Sequence, residues 1–241
     1  MVRKGNNLLQ VCKQLAAITK LNDDESSSAL TLMREAMGVL QHHDAVSGTA
    51  KQAVTFDYAQ RLHSGIVACE SIISKASIGG RDNPILDEKF QFCHSLNISQ
   101  CHVTEENNNF VVNVYNPLSR EISRPIRLPV MSGAYVVSKI SETQNLTIPS
   151  QLVPIPKSIY LVPGRDSGAT NELIFMAVKV PPLGNQRYHV SKTSSGNTPV
   201  NQISTSFLVS IEFSLSHCII INFCEYELSR LPRFMFDLGH G

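Results

Sequence analysis

The chain has 241 residues and a formal net charge of +1 at pH 7, with 17% charged and 42% hydrophobic residues. This length suits one large domain or two modest ones, and the hydrophobic fraction is ordinary for a folded protein. The balanced charge indicates neither a nucleic-acid partner nor an anionic membrane surface, so we expect no nucleic acid and no membrane among the partners.

Three amphipathic segments dominate the first third of the chain. In each of them apolar side chains recur every three or four residues, which is the spacing of one helix face. Because the connections between the segments are short, we predict a three-helix domain over residues 1–80. The helices are expected at residues 6–19, 29–41 and 50–77.

The starts of the second and third helices carry capping signals. Ser27 or Ser28 follows an acidic stretch and is the expected N-cap of the second helix. Thr49, three residues before Gln52, fits a capping box that would start the third helix near Ala50.

Two histidines and an aspartate, His42, His43 and Asp44, are expected at the C-terminus of the second helix, beside a Ser-Gly-Thr turn. Helix C-termini favour cations, and imidazole and carboxylate are zinc ligands. Adjacent helical residues point about 100° apart, so one histidine would bind a metal ion while its neighbour supports it. From the residues alone, the default interpretation is a capping or core histidine, and Asp44 reads equally well as a turn residue.

Residues 81–108 are expected to form a polar connector that contains a small disulfide loop. Cys93 and Cys101 bracket a short segment, which makes a bridge between them plausible. Cys12 and Cys69 lie on apolar faces of the first and third helices, where a bridge would staple the two together. Buried free thiols are the alternative interpretation of these cysteines.

Two sequons, at Asn97 and Asn145, permit N-glycosylation in a secretory compartment. The first residues nevertheless lack the apolar segment and cleavage site of a signal peptide. We therefore interpret the chain as a piece of a longer protein.

After residue 108 the apolar pattern changes to short runs rich in β-formers, separated by Pro-Gly and Pro-Pro pairs. Such spacing predicts a partial antiparallel β-sandwich over residues 109–191, and an α+β fold for the chain. An edge strand is expected around residues 126–128 because proline alternates there with apolar residues. The other strands are expected at residues 110–115, 135–140, 152–153, 159–162 and 173–180.

Residues 192–241 are interpreted as a divergent tail without an assigned role. Within the tail, residues 194–206 read as a polar linker. The apolar run at residues 207–224 is interrupted by Glu212 and His217, so we interpret it as a pair of buried strands, or as sequence that was never selected to fold, rather than as a membrane span.

The string HHDAVSGTA, followed by FDYAQRL in the next helix, resembles glycoside hydrolase family 38, the α-mannosidases, and in particular its lysosomal (acid) branch. The resemblance covers residues 3–191 and implies the helical central domain and the start of the C-terminal β region. Cysteines at the same four places in the family imply the pairs Cys12–Cys69 and Cys93–Cys101. Further matching strings are NNLLQVCKQL, FQFCHSLNISQC, FVVNVYNPLSR and LIFMAVKVPPLGNQRYHV.

The resemblance implies a retaining glycosidase that uses Zn²⁺ to remove terminal α-D-mannose from N-glycan oligosaccharides. His43 matches the zinc ligand of the motif and Asp44 matches the aspartate that hydrogen-bonds the sugar. His42 would support the side chains of His43 and Asp44 without itself binding the metal ion.

In the family the nucleophile, the acid/base and the other zinc ligands belong to an N-terminal α/β domain that has no match here. We therefore expect no catalytic residue in this chain, and no activity from it alone. The implied partners are the oligosaccharide and that N-terminal domain, and the implied location is lysosomal or secreted. The alternative is a non-catalytic glycan-binding or interaction module.

Overall fold

A computed structural model of the chain describes residues 1–79, 90–141, 145–193 and 218–222. They form a helical unit followed by two β-sheets, so the predicted α+β class is confirmed. No helix in the described part of the chain is both long and apolar enough to span a membrane. The helices are α1 (Val2–Ile18), α2 (Asp24–Val39), α3 (His43–Ser47), α4 (Gln52–Gly79), α5 (His102–Glu106) and α6 (Lys157–Tyr160).

The helical unit is held by one apolar core, in which α1 and α2 both pack against the long helix α4. Its centre includes Val11, Met33 and Ile73, all of which are buried. A disulfide between Cys12 and Cys69 joins α1 to α4 inside this core. The three-helix prediction is thus confirmed, with the short helix α3 inserted between the second and third helices.

The capping predictions for these helices are wrong. The side chain of Asp23 caps α2 by accepting the backbone N–H of Ser26 at 2.9 Å, so the helix begins several residues earlier than expected. A carboxylate one turn ahead of the serines reaches the free N–H groups first. Helix α4 begins at Gln52, because the hydroxyl of Thr49 is bonded to Asp44 rather than to the start of α4.

The β unit consists of a six-stranded sheet, in the order β1-β9-β2-β8-β4-β5, and a three-stranded sheet, in the order β3-β7-β6. The edge position expected around residues 126–128 is confirmed, because among the described strands β3 pairs with β7 alone. The strands are β1 (Phe90–Gln91), β2 (Asn109–Tyr115), β3 (Ile122–Val130), β4 (Ala134–Lys139), β5 (Leu146–Ile148), β6 (Ser150–Pro154), β7 (Asn171–Val180), β8 (Asn185–Thr193) and β9 (Cys218–Asn222).

Alternate residues of the two sheets face each other and form a second core. Val112 of β2 lies opposite Tyr188 of β8 in the six-stranded sheet, and both are buried. Leu128 and Phe175 face them from the three-stranded sheet, with the rings of Phe175 and Tyr188 5.0 Å apart between centroids. This arrangement is the packing of a β-sandwich.

Every strand pair within residues 109–191 is antiparallel, so the predicted antiparallel pairing is confirmed. Outside that range, β9 pairs in parallel with both β1 and β2. Parallel pairing is open to a strand that comes from far along the chain. The prediction of a strand at residues 159–162 is wrong, because Ile159 and Tyr160 end the helix α6, whose N-cap is Pro156, and residues 161–162 follow it without strand structure.

The apolar run at residues 207–224 contributes the strand β9. Its other residues lie outside the described part of the chain, as do the predicted linker at residues 194–206 and the end of the tail. The interpretation of this run as a pair of buried strands stays a prediction.

The helical unit and the β unit are in direct contact. Tyr115, at the end of β2, packs into the helical core, and its hydroxyl donates to Gln14 of α1 at 3.4 Å. Gln14 in turn donates to the carbonyl of Pro117 at 2.9 Å. A second contact joins the ring of His94 to the carboxylate of Glu70 in α4, at 2.9 Å.

Residues 93–101, called the disulfide loop below, form a nine-residue segment closed by the Cys93–Cys101 bridge. The guanidinium of Arg165 donates to the carbonyls of Ile98 and Ser99 at 3.0 and 3.1 Å. The hydroxyl of Ser99 donates to the buried carboxylate of Glu172, at 2.7 Å. Groups from more than 60 residues away in sequence therefore hold this loop.

Candidate functional site

The candidate site lies at residues 41–51, called the site turn below, between α2 and α4. Helix α2 ends at Val39, and His42 leaves the helical conformation, with φ −52° and ψ 138°. His43 and Asp44 then begin the five-residue helix α3. The expectation that the three residues lie at the C-terminus of the second helix is therefore wrong, because the backbone turns at His42.

This backbone turn brings the two imidazoles together. The ring centroids of His42 and His43 are 4.2 Å apart. Their Nε2 atoms lie 3.6 and 3.7 Å from the same carboxylate oxygen, Oδ2 of Asp44. Adjacent helical residues would diverge by about 100°, but His42 is not helical, so the predicted divergence does not occur.

Asp44 is oriented by its own turn. The hydroxyl of Thr49 donates to Oδ1 of Asp44 at 2.7 Å, and the backbone N–H of Thr49 donates to the Asp44 carbonyl at 3.0 Å. The hydrogen bond from Thr49 is the main cause that lowers the pKa of the Asp44 carboxyl, and the nearby rings of His43 and His42 lower it further. The carboxylate is thus held in its charged form, with Oδ2 towards the histidines.

The donor set of the site turn fits part of a zinc site. One nitrogen from each histidine and one oxygen of Asp44 lie within 4.8 Å of one another. In a tetrahedral zinc site with bonds of about 2.0–2.3 Å, the ligand atoms lie about 3.3–3.8 Å apart, so small side-chain movements would suffice. The side chain of His43 is 83% exposed, which leaves room for ligands from outside the turn.

Within the described ranges, this is the one cluster of three or more histidine, cysteine or acidic side chains with metal-binding spacing. An open groove of about 490 Å³ lies next to it, between the start of α1 and the end of α2. The groove was not predicted, because it depends on how α1 and α2 pack. Its lining includes Arg3, Asn6, Met37 and Gln41.

The other predicted site residues are placed as follows. The side chains of Asn97 and Asn145 are exposed, so both sequon asparagines are accessible in the folded chain. The hydroxyl of Ser99, which completes the first sequon, is buried against Glu172. Both expected disulfides, Cys12–Cys69 and Cys93–Cys101, are present in the structure.

Thr49 was expected only as a helix cap, and its contact with Asp44 was missed. The sequence contains a signal for it, because Gly48 separates Thr49 from α3 and adopts a left-handed conformation with φ 76°. Glycine tolerates this conformation readily and allows the chain to fold back on Asp44. Reading the Ser-Gly-Thr string as a return turn, rather than as the start of the next helix, would have found the contact.

Comparison with known proteins assigns two parts of the chain. Residues 1–77 match the family model of the alpha mannosidase middle domain. The whole site turn lies within this match. Residues 148–190 match the model of the lysosomal alpha-mannosidase-like central domain. The first match covers the helical unit and the second covers β6, β7 and part of β8.

Similar full-length proteins include three lysosomal alpha-mannosidases. The one from Cavia porcellus is 39% identical over 204 residues, which is 81% of this chain and 18% of the relative. The one from Bos taurus is 41% identical over 196 residues, or 79% of this chain and 18% of the relative. The one from Mus musculus is 39% identical over 242 residues, or 99% of this chain and 22% of the relative.

The mouse alignment extends into residues 192–241, which the matching sequence strings leave uncovered. The chain spans about a fifth of the length of these curated relatives. Both family models and all three relatives carry an alpha-mannosidase name, and the site turn lies inside the first family match. The chain belongs to the α-mannosidase family.

Proposed function

We propose that this chain is the part of a retaining, zinc-dependent α-mannosidase that contributes one metal ligand and one sugar-binding carboxylate. The proposed reaction is the removal of terminal α-D-mannose from N-glycan oligosaccharides. The observation that carries the proposal is the clustering of His42, His43 and Asp44 inside the region that matches the alpha mannosidase middle domain.

Each residue of the cluster has a separate role. His43 holds zinc through an imidazole nitrogen, because its ring is the more exposed of the two and is open to further ligands. Asp44 accepts hydrogen bonds from sugar hydroxyls, as an ionised carboxylate is an acceptor with two oxygens. His42 packs beside His43 and limits the positions its ring can adopt. When bound, zinc supplies a positive charge that orients neighbouring hydroxyls of the sugar.

Retaining glycosidases need two carboxyl groups about 5–5.5 Å apart, one as nucleophile and one as acid/base. The site turn contains a single carboxylate, that of Asp44. We therefore assign the nucleophile, the acid/base and the remaining zinc ligands to protein outside this chain. Exposed apolar side chains around the site turn support a covering partner, since Val46 and Phe56 are 55% and 66% exposed.

The location follows the same reasoning. We propose a lysosomal or secreted protein, since the relatives from guinea pig, cow and mouse are lysosomal alpha-mannosidases. Two disulfides and two exposed sequon asparagines suit an oxidising secretory route.

A segment swap tests the proposal. In the lysosomal alpha-mannosidase from mouse, the aligned segment, which is 22% of that protein, is replaced by this chain. The hydrolysis of p-nitrophenyl α-D-mannoside by the swapped protein is then measured with and without zinc. The swapped protein is expected to be active, and His43→Gln is expected to lower its activity about a hundredfold and to reduce its zinc content. His63→Gln, on the exposed side of α4, is the matched control and should leave activity unchanged.

The isolated chain of 241 residues is expected neither to hydrolyse the substrate nor to retain zinc through dialysis. Zinc-dependent turnover by the isolated chain would overturn the assignment of the catalytic groups to other parts of the protein. An inactive swapped protein, together with mannose-oligosaccharide binding by the isolated chain, would favour the non-catalytic glycan-binding module.

A further inference from the structure

We infer that Thr49 is a positioning residue for the site: its hydroxyl fixes one oxygen of the Asp44 carboxylate, so that the other oxygen is presented to the histidines and to the sugar. The inference rests on the proposed function and deepens it. It assigns a role to Thr49, whose hydroxyl bonds Asp44 and not His43, the proposed metal ligand.

The two carboxylate oxygens of Asp44 have different surroundings. Oδ1 accepts the hydroxyl of Thr49 at 2.7 Å, which is a short bond of the kind expected for a charged acceptor. Oδ2 lies 3.6 and 3.7 Å from the Nε2 atoms of His42 and His43. Because the carboxylate is planar, holding one oxygen sets the direction of the other.

Thr49 is itself held in place. Its backbone N–H donates to the Asp44 carbonyl at 3.0 Å, and the N–H of Ala50 donates to the same carbonyl at 3.2 Å. The hydroxyl of Ser47 has two acceptors within reach, the hydroxyl oxygen of Thr49 at 2.9 Å and the carbonyl of His43, and its single hydrogen serves one of them at a time. These hydrogen bonds all begin and end within residues 43–50, so the turn closes on itself around Asp44.

A purely structural role accounts poorly for this arrangement. Thr49 is exposed and does not cap α4, which begins three residues later at Gln52. An exposed hydrogen bond within one turn adds little to the stability of the whole chain. What the bond does control is the side-chain rotamer of Asp44 and, with it, the direction of the carboxylate, and that direction matters to a ligand because only one of the two oxygens faces the imidazoles.

The test compares two substitutions of similar size with opposite chemistry. Thr49→Val keeps the shape and removes the hydroxyl, while Thr49→Ser keeps the hydroxyl. In the swapped mannosidase we expect Thr49→Val to lower kcat/KM about tenfold and Thr49→Ser to stay within about twofold of the parent. Thr31→Val is the matched control, because the exposed hydroxyl of Thr31 donates to the Ser27 carbonyl of its own helix α2, and we expect no change.

A second readout uses the full chain without any partner. Carbon–carbon and nitrogen–carbon couplings to the Asp44 carboxyl carbon report its side-chain rotamer by NMR. We expect one rotamer in the parent and in Thr49→Ser, and averaging among rotamers in Thr49→Val. Circular dichroism melts of the same samples should superimpose, which separates a local effect from unfolding.

The outcomes distinguish the inference from the proposed function. If the swapped mannosidase without a Thr49 substitution is inactive, the proposed function is wrong. The NMR couplings to the Asp44 carboxyl carbon would still decide the role of Thr49. A single Asp44 rotamer in Thr49→Val would overturn the inference, whatever the activity. So would a Thr49→Ser protein as impaired as Thr49→Val, because the missing hydroxyl would then not be the cause.

Discussion

The site turn and the disulfide loop are short irregular segments of similar length, held by opposite means. The hydrogen bonds that orient Asp44 come from within residues 43–50. The disulfide loop is fixed by a covalent bridge and by Arg165 and Glu172, which lie more than 60 residues further along the chain. The first turn is therefore organised by its own sequence, and the second by the fold around it.

This difference indicates that the stability of the chain and its ligand binding depend on different segments. Long-range contacts to a buried carboxylate contribute to the free energy of unfolding of the whole β unit, because they form only in the folded chain. Local contacts in an exposed turn contribute little to it. Residues of the site turn can therefore be suited to a ligand at little cost in stability, whereas residues of the disulfide loop are constrained by their packing.

Removing the buried carboxylate should produce the largest effect. Glu172→Ala takes away the partner of both the Ser99 hydroxyl and the Arg127 guanidinium. Glu172 is buried whereas Arg127 is partly exposed, so the cost comes mainly from losing the hydrogen bonds to the buried carboxylate, and we expect a loss of about 3 kcal/mol in the free energy of unfolding measured with urea. Glu121→Ala, at an exposed position, should change it by less than about 0.5 kcal/mol. Equal losses in the two variants would contradict long-range fixation of the loop.

Weakening the guanidinium contacts should have a smaller effect. Arg165→Lys keeps the charge but cannot reproduce the fork that reaches the Ile98, Ser99 and Ala169 carbonyls. We expect a loss of about 2 kcal/mol and faster amide exchange in the disulfide loop. The same change at the exposed Arg120 is the control. An unchanged exchange rate in the loop would show that the disulfide alone holds it.

The β unit should also lose stability in alkali. Burial raises the pKa of Tyr188 to about 12. The unfolded chain releases that proton from about pH 10, so the free energy of unfolding should fall as the pH rises from 10 to 12. Tyr188→Phe should make this decline shallower, whereas Tyr160→Phe, at a half-exposed position, should not. Urea unfolding at pH 8, 10 and 11 measures the slope, and parallel slopes for all three proteins would refute the assignment.

The smallest effect on stability is expected in the site turn. His43→Gln should change the free energy of unfolding by less than about 0.5 kcal/mol, because the side chain of His43 is exposed. The same variant is expected to abolish most activity of the swapped enzyme. A stability loss above about 1 kcal/mol would mean that the turn supports the helical unit, and the contrast between the two loops would fail.

Most of the helical unit could be predicted from its sequence, because the apolar spacing in 29–41 and 50–77 is regular over many turns. The helix starts were less predictable. Asp23, Ser27 and Ser28 are all good caps, and which one is used depends on where the chain enters the helix. In the β unit, β8 escaped prediction because its exposed face is polar, and α6 was mistaken for a strand because four residues are too few to show a period.

The site itself was located by its string of residues but not by its geometry. The sequence singles out His42, His43 and Asp44, yet their mutual approach depends on the backbone angles of His42. Those angles are set by the end of α2 and the start of α3, which no residue pattern of this length specifies. The contact between Thr49 and Asp44 was missed for a different reason. Gly48 signals the return turn, but a threonine can also bond forward to a helix, and the capping-box pattern favoured that interpretation.

The Cys12–Cys69 bridge spans 57 residues and encloses the whole site turn. A protease that cuts once at this exposed turn would separate the backbone of α2 from that of α4, yet the two products would stay covalently attached through α1. Gel electrophoresis without a reducing agent would therefore give a single band at the mass of the uncut chain. The nick would become visible only after reduction.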